Sequence, residues 1–104
     1  MAFGIGINTS MTEAGIIQGK QQEIACDCWF TSQGQITPRF IKYQDVEGFI
    51  HKIYDIQVHT RGRKNFCGIN TMEFECSAIN NGFEYRFRLL YQTKECKWKI
   101  IWER

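Results

Sequence analysis

Hydrophobic and polar positions alternate along much of the chain, with the two-residue period of a β-strand that buries one face. The first such segment covers residues 24–30, and a glycine turn at 32–35 separates it from a second predicted strand over 36–44. Pro38 lacks a backbone N–H, so we expect it at an edge or a bulge of the second strand. These two segments predict an antiparallel hairpin.

Residues 49–60 are rich in β-branched and aromatic side chains but do not alternate cleanly. The isoleucines change parity along the segment, which predicts a third strand with a bulge near Tyr54. Their three-residue spacing also fits one face of a helix. The composition and the absence of a C-cap favour the strand.

The clearest pattern lies in residues 68–104, where two turns predict a three-stranded meander. Asn81-Gly82 is the strongest short hairpin signal in the chain. If it forms a two-residue loop, the facing pairs on one side are all apolar or aromatic: Ala78 with Tyr85, Cys76 with Phe87, Phe74 with Leu89 and Met72 with Tyr91. The other side pairs polar residues, namely Ser77 with Arg86 and Glu75 with Arg88.

A second turn at Lys94-Glu95 adds one more strand to the same core face. The predicted pairs are Trp98 with Tyr91, Ile100 with Leu89 and Trp102 with Phe87. A slip of two residues would keep these faces and pair Glu73 with Arg88 instead, so the pattern specifies the faces more firmly than the register.

Six predicted strands indicate a mainly β fold: a small antiparallel six-stranded meander that closes into a barrel or half-barrel, with a two-layer sandwich as the alternative. Residues 1–19 are rich in glycine, and Ser10-Met11-Thr12-Glu13 has the form of a capping box. We therefore predict a short N-terminal helix or arm over 1–19 and a single β-barrel-like domain over 20–104. A chain of 104 residues has room for one modest core.

The formal charge of +2 is too small to identify a nucleic-acid-binding protein. Five cysteines cannot all pair within one chain, and no secretory signal pattern precedes them, so we expect free thiols and a cytoplasmic location. No apolar stretch is long enough to span a bilayer, and we expect no membrane partner. A homodimer is compatible with the sequence.

No motif for catalysis, metal binding or cofactor binding stands out. Cys26-Asp27-Cys28 has too short a spacing for a zinc knuckle and lies in a predicted strand, so we expect buried thiols and no metal. His51 and His59 are the only histidines, and neither belongs to a catalytic motif. The sequence predicts no catalytic residue and no cofactor.

Basic residues favour a binding surface in the second half of the chain. Arg61-Gly62-Arg63-Lys64 predicts a basic loop between two strands, and the outward face of the meander adds Arg86, Arg88, Lys97 and Lys99. The aromatic residues that could contact a partner are Trp29, Tyr43, Tyr54 and Phe66. Two alternatives to a binding surface stay open. In the first, Glu73 and Glu75 neutralise the basic residues of the strands; in the second, Trp29 is covered by the N-terminal segment and offers no contact.

Four runs of sequence give the chain a resemblance to small uncharacterised proteins of Firmicute mobile genetic elements, over residues 24–102. They are Cys28-Trp29-Phe30-Thr31-Ser32, Ile36-Thr37-Pro38-Arg39-Phe40-Ile41-Lys42-Tyr43, Phe87-Arg88-Leu89-Leu90-Tyr91 and Trp98-Lys99-Ile100-Ile101. The resemblance implies an accessory protein of a conjugative element or phage, a class that includes inhibitors of host defence such as anti-CRISPR proteins. It carries over no site residue.

Two functions follow as hypotheses. The first is a non-catalytic binding module that acts through protein contacts, as an inhibitor of a host nucleoprotein machine would. The alternative is a small β-barrel that binds single-stranded nucleic acid through the basic loop and exposed aromatic residues. An enzyme would need a pocket that brings a histidine together with an acid and a nucleophile.

Overall fold

Residues 19–103 are described by a computed structural model, and they form one seven-stranded antiparallel sheet. The strands are β1 (Gln22–Phe30), β2 (Ile36–Gln44), β3 (Ile50–Ile53), β4 (Gln57–Phe66), β5 (Ile69–Asn80), β6 (Phe83–Gln92) and β7 (Lys97–Trp102). Their order in the sheet is β3-β2-β1-β7-β6-β5-β4. The predicted mainly β class and half-barrel are confirmed, but residues 19–103 alone contain seven strands instead of six.

Two meanders meet at the centre of this sheet, where β1 pairs with β7. The ladder between them is short: Gln22 faces Ile100, Glu23 faces Lys99 and Ile24 faces Trp98. Among the described strands the outer edges of the sheet are β3 and β4, which follow one another in the chain. The predicted arm lies outside the described residues except for Gly19, and the capping box at 10–13 lies outside them entirely.

The prediction of one bulged strand over residues 49–60 is wrong, because this segment contributes to both edges of the sheet. β3 pairs with β2, and β4 pairs with β5. Between them Asp55 has a left-handed backbone (φ 57°), which interrupts the extended chain. The bulge lies at His59, where the register shifts between Val58 and Thr60.

The predicted C-terminal meander is confirmed in every pair. Phe74 faces Leu89 across β5 and β6, and Leu89 faces Ile100 across β6 and β7. Asn81 (φ 53°) and Gly82 (φ 79°) both have positive φ, as a two-residue type I′ loop requires. The second turn is longer than the two residues predicted, since the ladder ends at Gln92 and Lys97.

Pro38 lies where the sequence predicts, beside a bulge and at an edge. The register of β1 and β2 shifts between Asp27 and Cys28, and Cys28 faces Pro38. The other side of β2 pairs with β3 only from Ile41 onward. The first half of β2 therefore has a side that is free of ladder hydrogen bonds to β3.

The core fills the inner face of the curved sheet. Phe74, Phe87, Leu89 and Ile100 are fully buried there, and each contributes on the order of 2 kcal/mol by leaving water. Trp98 packs against Tyr91 with ring centroids 4.8 Å apart. Residues from β1 to β7 contribute to this core, which ties the two meanders together.

The outer face carries a second, smaller buried cluster of Phe66, Leu90 and Ile101. Gly19 lies directly against this cluster, since a Cβ atom at this position would be 2.7 Å from Ile101 Cγ2. Its φ of 100° is one that residues with a side chain rarely adopt. In the described part of the chain, no helix is long and apolar enough to cross a membrane.

The sheet curls without closing, and β2 and β4 approach one another across the opening. The N–H of Ile56 donates to the carbonyl of Arg39 at 3.4 Å. Arg61 Nη1 donates to the carbonyl of Ile36 at 2.9 Å. We call this line of approach between β2 and β4 the seam. At Arg61 the two strands are joined by a side-chain hydrogen bond and not by a backbone ladder.

Candidate binding cleft at the seam

The basic segment Arg61-Gly62-Arg63-Lys64 lies in the middle of β4, so the prediction of a basic loop is wrong. Glycine and consecutive charges are typical of a turn, but an edge strand also tolerates them because one side of its backbone faces solvent. Strand alternation divides the cations between the two faces. Arg61 and Arg63 face Phe74 and Met72 of the core side, and Lys64 faces Thr71.

The two arginines on the core side differ in their contacts. Arg61 is held by its bond to Ile36, and its guanidinium carbon lies 5.9 Å from the centroid of the Phe74 ring. The Arg63 side chain is exposed and has no ion pair or hydrogen bond with any residue in 19–103. Arg63 is therefore a cation available to a ligand.

A cleft of about 470 Å³ opens beside these arginines, between the β1–β2 turn and strands β4 and β5. Its lining is Gln33, Gly34, Gln35, Ile36, Arg61, Arg63, Asn70, Thr71, Met72 and Thr93. The described lining contains two guanidinium groups, amides and hydroxyls, and neither a carboxylate nor an aromatic ring. Such a set of hydrogen-bond donors fits an anionic group.

On the outer face, Glu73 neutralises two of the predicted binding residues. Its carboxylate is 2.7 Å from Lys64 Nζ and 2.8 Å from Arg88 Nη1. Burial raises the pKa of Glu73, but the hydrogen bonds from Lys64 and Arg88 outweigh it and hold the pKa below its usual value. Glu103 is also 3.3 Å from Arg88. Although Arg88 faces Glu75 in the register, its ion pair is diagonal, to Glu73.

The other predicted cations of the meander lie apart from the cleft. Arg86 is 3.8 Å from Glu84, and Lys97 is 3.9 Å from Glu23. Lys99 is half-buried and faces Glu23 of β1. The predicted binding residues therefore do not form one free positive surface: Arg61 and Arg63 line the cleft, and the others lie outside it.

The four predicted contact aromatics do not meet one another or the cleft. Trp29 is 60% exposed, with Arg39 stacked 4.7 Å from its ring centroid. Tyr54 is exposed against Phe40, with ring centroids 5.1 Å apart. Tyr43 packs on His51 and Trp102. Phe66 is 6% exposed, so the prediction that it offers a stacking surface is wrong.

Each histidine is bonded to a residue of a different segment. His51 Nε2 is 2.7 Å from Asp45 Oδ2, and this hydrogen bond, with backbone bonds from Phe49 and Glu47, lowers the pKa of Asp45. Asp45 thereby organises the turn between β2 and β3. His59 Nε2 is 2.7 Å from Ser77 Oγ at the bulge of β4.

The cysteines form no disulfide. Burial raises the pKa of Cys76 to about 12 and also raises the pKa of Cys26. Within residues 19–103 no three His, Cys, Asp or Glu side chains are placed to hold a metal ion. Thiolate chemistry at neutral pH is therefore suppressed at Cys76 and Cys26.

Sequence reasoning identified Arg61 and Arg63 but missed the neutral side of the cleft. Gln33, Gln35 and Thr93 lie in turns far from β4 in the chain, and curvature of the sheet brings them together. No local pattern could have joined them. No protein-family model, curated protein or solved structure matches the chain.

Proposed function

We propose that the chain is a non-catalytic binding module that acts through protein contacts, with the cleft and the neighbouring edge of β4 as its contact surface. The observation that carries this proposal is that three features lie together within residues 19–103: a cleft lined by no carboxylate, an Arg63 guanidinium without an ion pair, and a β4 edge without a ladder partner. Each of these is a feature that a partner could satisfy.

The distribution of ion pairs favours a contact confined to the cleft over binding of a charged partner across the whole outer face. Lys64 and Arg88 share the carboxylate of Glu73, so binding a phosphate chain across the outer face would compete with existing pairs. Proteins that bind nucleic acid mainly through phosphates need many unpaired cations along a track. A ligand that binds at Arg63 in the cleft does not have to displace an ion pair of the described residues.

The proposal is tested by capture from cells with a tagged protein, after nuclease treatment of the lysate. We expect a protein partner to remain after nuclease treatment and to be lost with Arg63→Glu. Arg86→Glu is the matched control, because Arg86 is also an exposed strand arginine but lies outside the cleft. A partner that is lost on nuclease treatment, or that binds Arg63→Glu as well as the wild type, contradicts the proposal.

A second candidate function is direct binding of single-stranded nucleic acid, because an acid-free cleft also fits a phosphate and Arg39 stacks on an exposed Trp29. Salt separates the two functions. Each phosphate contact contributes to a linear fall of the logarithm of affinity with the logarithm of salt concentration. An oligothymidylate whose affinity does not fall with salt, or does not fall with Arg61→Ala and Arg63→Ala, contradicts this function.

The resemblance to proteins of mobile genetic elements gives the protein-binding proposal its finer form. We propose that the partner belongs to a host nucleoprotein machine and that the module inhibits it, as anti-CRISPR proteins do. The test is whether the captured partner loses its own activity when wild-type protein is added and keeps it when Arg63→Glu is added.

A further inference from the structure

The edge of β4 next to the cleft is open to an additional strand. Within residues 19–103, β4 has a ladder with β5 alone. All side chains from His59 to Lys64 are exposed. A Cβ atom at Gly62, which would point to the outer face of the sheet, would meet none of the described residues within 4 Å, so that face of the strand is also uncovered at its middle. The backbone groups on this side can accept an extended segment by strand addition.

The seam determines which part of the edge is free. At its start β4 is already close to β2, through the bonds of Ile56 to Arg39 and of Arg61 to Ile36. Beyond Arg61 the cleft separates β4 from the β1–β2 turn. The accessible edge is therefore the part of β4 from 62 to 66.

Charge decides what kind of segment fits. A second copy of β4 would bring Arg61, Arg63 and Lys64 against the same cations, which is the arrangement by which edge strands avoid pairing with themselves. A segment with carboxylates would instead meet the guanidinium of Arg63 and the amides of the cleft. The charge of the edge opposes pairing with a second copy of β4 and favours an acidic partner.

Carboxylates fit this cleft better than a nucleic-acid strand does. Proteins that bind single strands combine cations with aromatic surfaces on which bases stack. No aromatic residue is among the described residues that line the cleft, and Phe66 at the end of the same strand is buried on the outer face. A phosphate could enter the cleft, but its base would find no stacking surface there.

We propose that the partner supplies an extended acidic segment, which adds to the edge of β4 over residues 62–66 and places a carboxylate in the cleft against Arg63. This inference rests on the protein-binding function proposed above and specifies the chemistry of the partner. Backbone hydrogen bonds to β4 give the segment its position, and the carboxylate gives it its selectivity.

The probe for this inference is a labelled peptide of about eight residues, long enough for one strand, in which Glu and Thr alternate. The matched control peptide has Gln in place of Glu. We expect the Glu peptide to bind at least about tenfold more tightly, which corresponds to about 1.4 kcal/mol. Arg63→Glu should remove this preference, and Arg86→Glu should keep it, when affinity is measured by fluorescence anisotropy.

Backbone hydrogen exchange distinguishes strand addition from simple charge attraction. On binding the Glu peptide, amides in 62–66 should exchange more slowly, and those of β3 at the opposite edge should not change. Protection that is equal at both edges, or absent from β4, overturns the inference. The inference is also overturned if the Glu peptide binds no better than the Gln peptide when both are tested up to about 1 mM, the weak end of measurable affinity. Tighter binding of oligothymidylate than of the Glu peptide would overturn it as well.

Failure of this inference differs from failure of the proposed function. If Arg63→Glu loses the captured protein but the Glu peptide shows no preference and no protection of β4, the protein-binding function stands and the acidic segment is overturned. If nuclease treatment removes the captured material, the protein-binding function itself is overturned.

Discussion

At the scale of single residues, Glu73 determines the charge balance of the outer face. Its side chain is 7% exposed and accepts hydrogen bonds from both Lys64 and Arg88. A buried carboxylate is stable only when such partners compensate for the lost water. The two cations are therefore part of the fold and not of a free binding surface.

Because the pKa of Glu73 is lowered in the folded protein, its contribution to stability is present above the ordinary pKa of glutamate, about 4.3. It is lost as the pH falls through the lowered value. We expect the advantage of wild type over Glu73→Gln in free energy of unfolding to shrink below about pH 4. Urea denaturation at several pH values measures it, with Glu95→Gln in the exposed β6–β7 turn as the control. Parallel curves for wild type and Glu73→Gln would contradict this assignment.

Cys76 offers a second measurement at this scale. Burial raises its pKa to about 12, so the thiol stays protonated in the folded protein while the unfolded thiol ionises near pH 8.5. Its contribution to stability is therefore present below about pH 8.5 and decreases at higher pH.

We expect Cys67 and Cys96, which are exposed, to react first with a thiol reagent, and Cys76 only on unfolding. Mass spectrometry of the labelled protein, with and without denaturant, decides this, and early labelling of Cys76 would be the contrary result.

At the scale of elements, the β5–β6 hairpin is specified by its loop. Asn81 and Gly82 adopt positive φ, which asparagine tolerates and glycine permits because it has no Cβ atom, and this loop sets every pair along the two strands. The register was therefore predictable from sequence. The break between β3 and β4 was not, because the left-handed Asp55 and the transfer of the chain to the opposite edge depend on tertiary structure.

Glycine substitutions test this specification. Gly82→Ala should lower the free energy of unfolding by about 1 kcal/mol, because alanine tolerates positive φ poorly. Gly62→Ala is the matched control, since Gly62 lies in a strand with empty space around it, and it should be neutral or stabilising by less than about 1 kcal/mol. Chemical denaturation of both variants gives the comparison. Equal losses would show that the loop conformation does not set the stability of the hairpin.

The candidate site was predictable to the extent that it depends on residue type. Arg61 and Arg63 were identified by charge alone. Their separation from Lys64 follows from strand alternation, which the assignment of a loop concealed. The cleft required the curvature of the sheet, and the diagonal pair of Arg88 with Glu73 required the geometry of neighbouring strands.

At the scale of the whole molecule, one core joins two meanders that share only a short ladder. Ile100 of β7 is fully buried and faces Gln22 of β1 on one side and Leu89 of β6 on the other. We expect the two meanders to unfold together, because buried residues of both belong to one core cluster.

Ile100→Ala tests this cooperativity. We expect a loss of about 2 to 5 kcal/mol in the free energy of unfolding, as for other buried isoleucine truncations, and a single transition in both variant and wild type. Circular dichroism and tryptophan fluorescence should give coincident curves. Two separate transitions would mean that the meanders are independent units.

The central position of β1 also has a consequence for biosynthesis. One side of β1 can pair with β2 soon after both are made, but its other partner, β7, is the last strand of the sheet to leave the ribosome. Until then the nascent chain carries an unpaired edge of β1 and an incomplete apolar face, both of which favour aggregation. A chain truncated before β7 would leave β1 paired on one side only and the apolar face incomplete. Stable folding therefore requires that translation continue through Trp102.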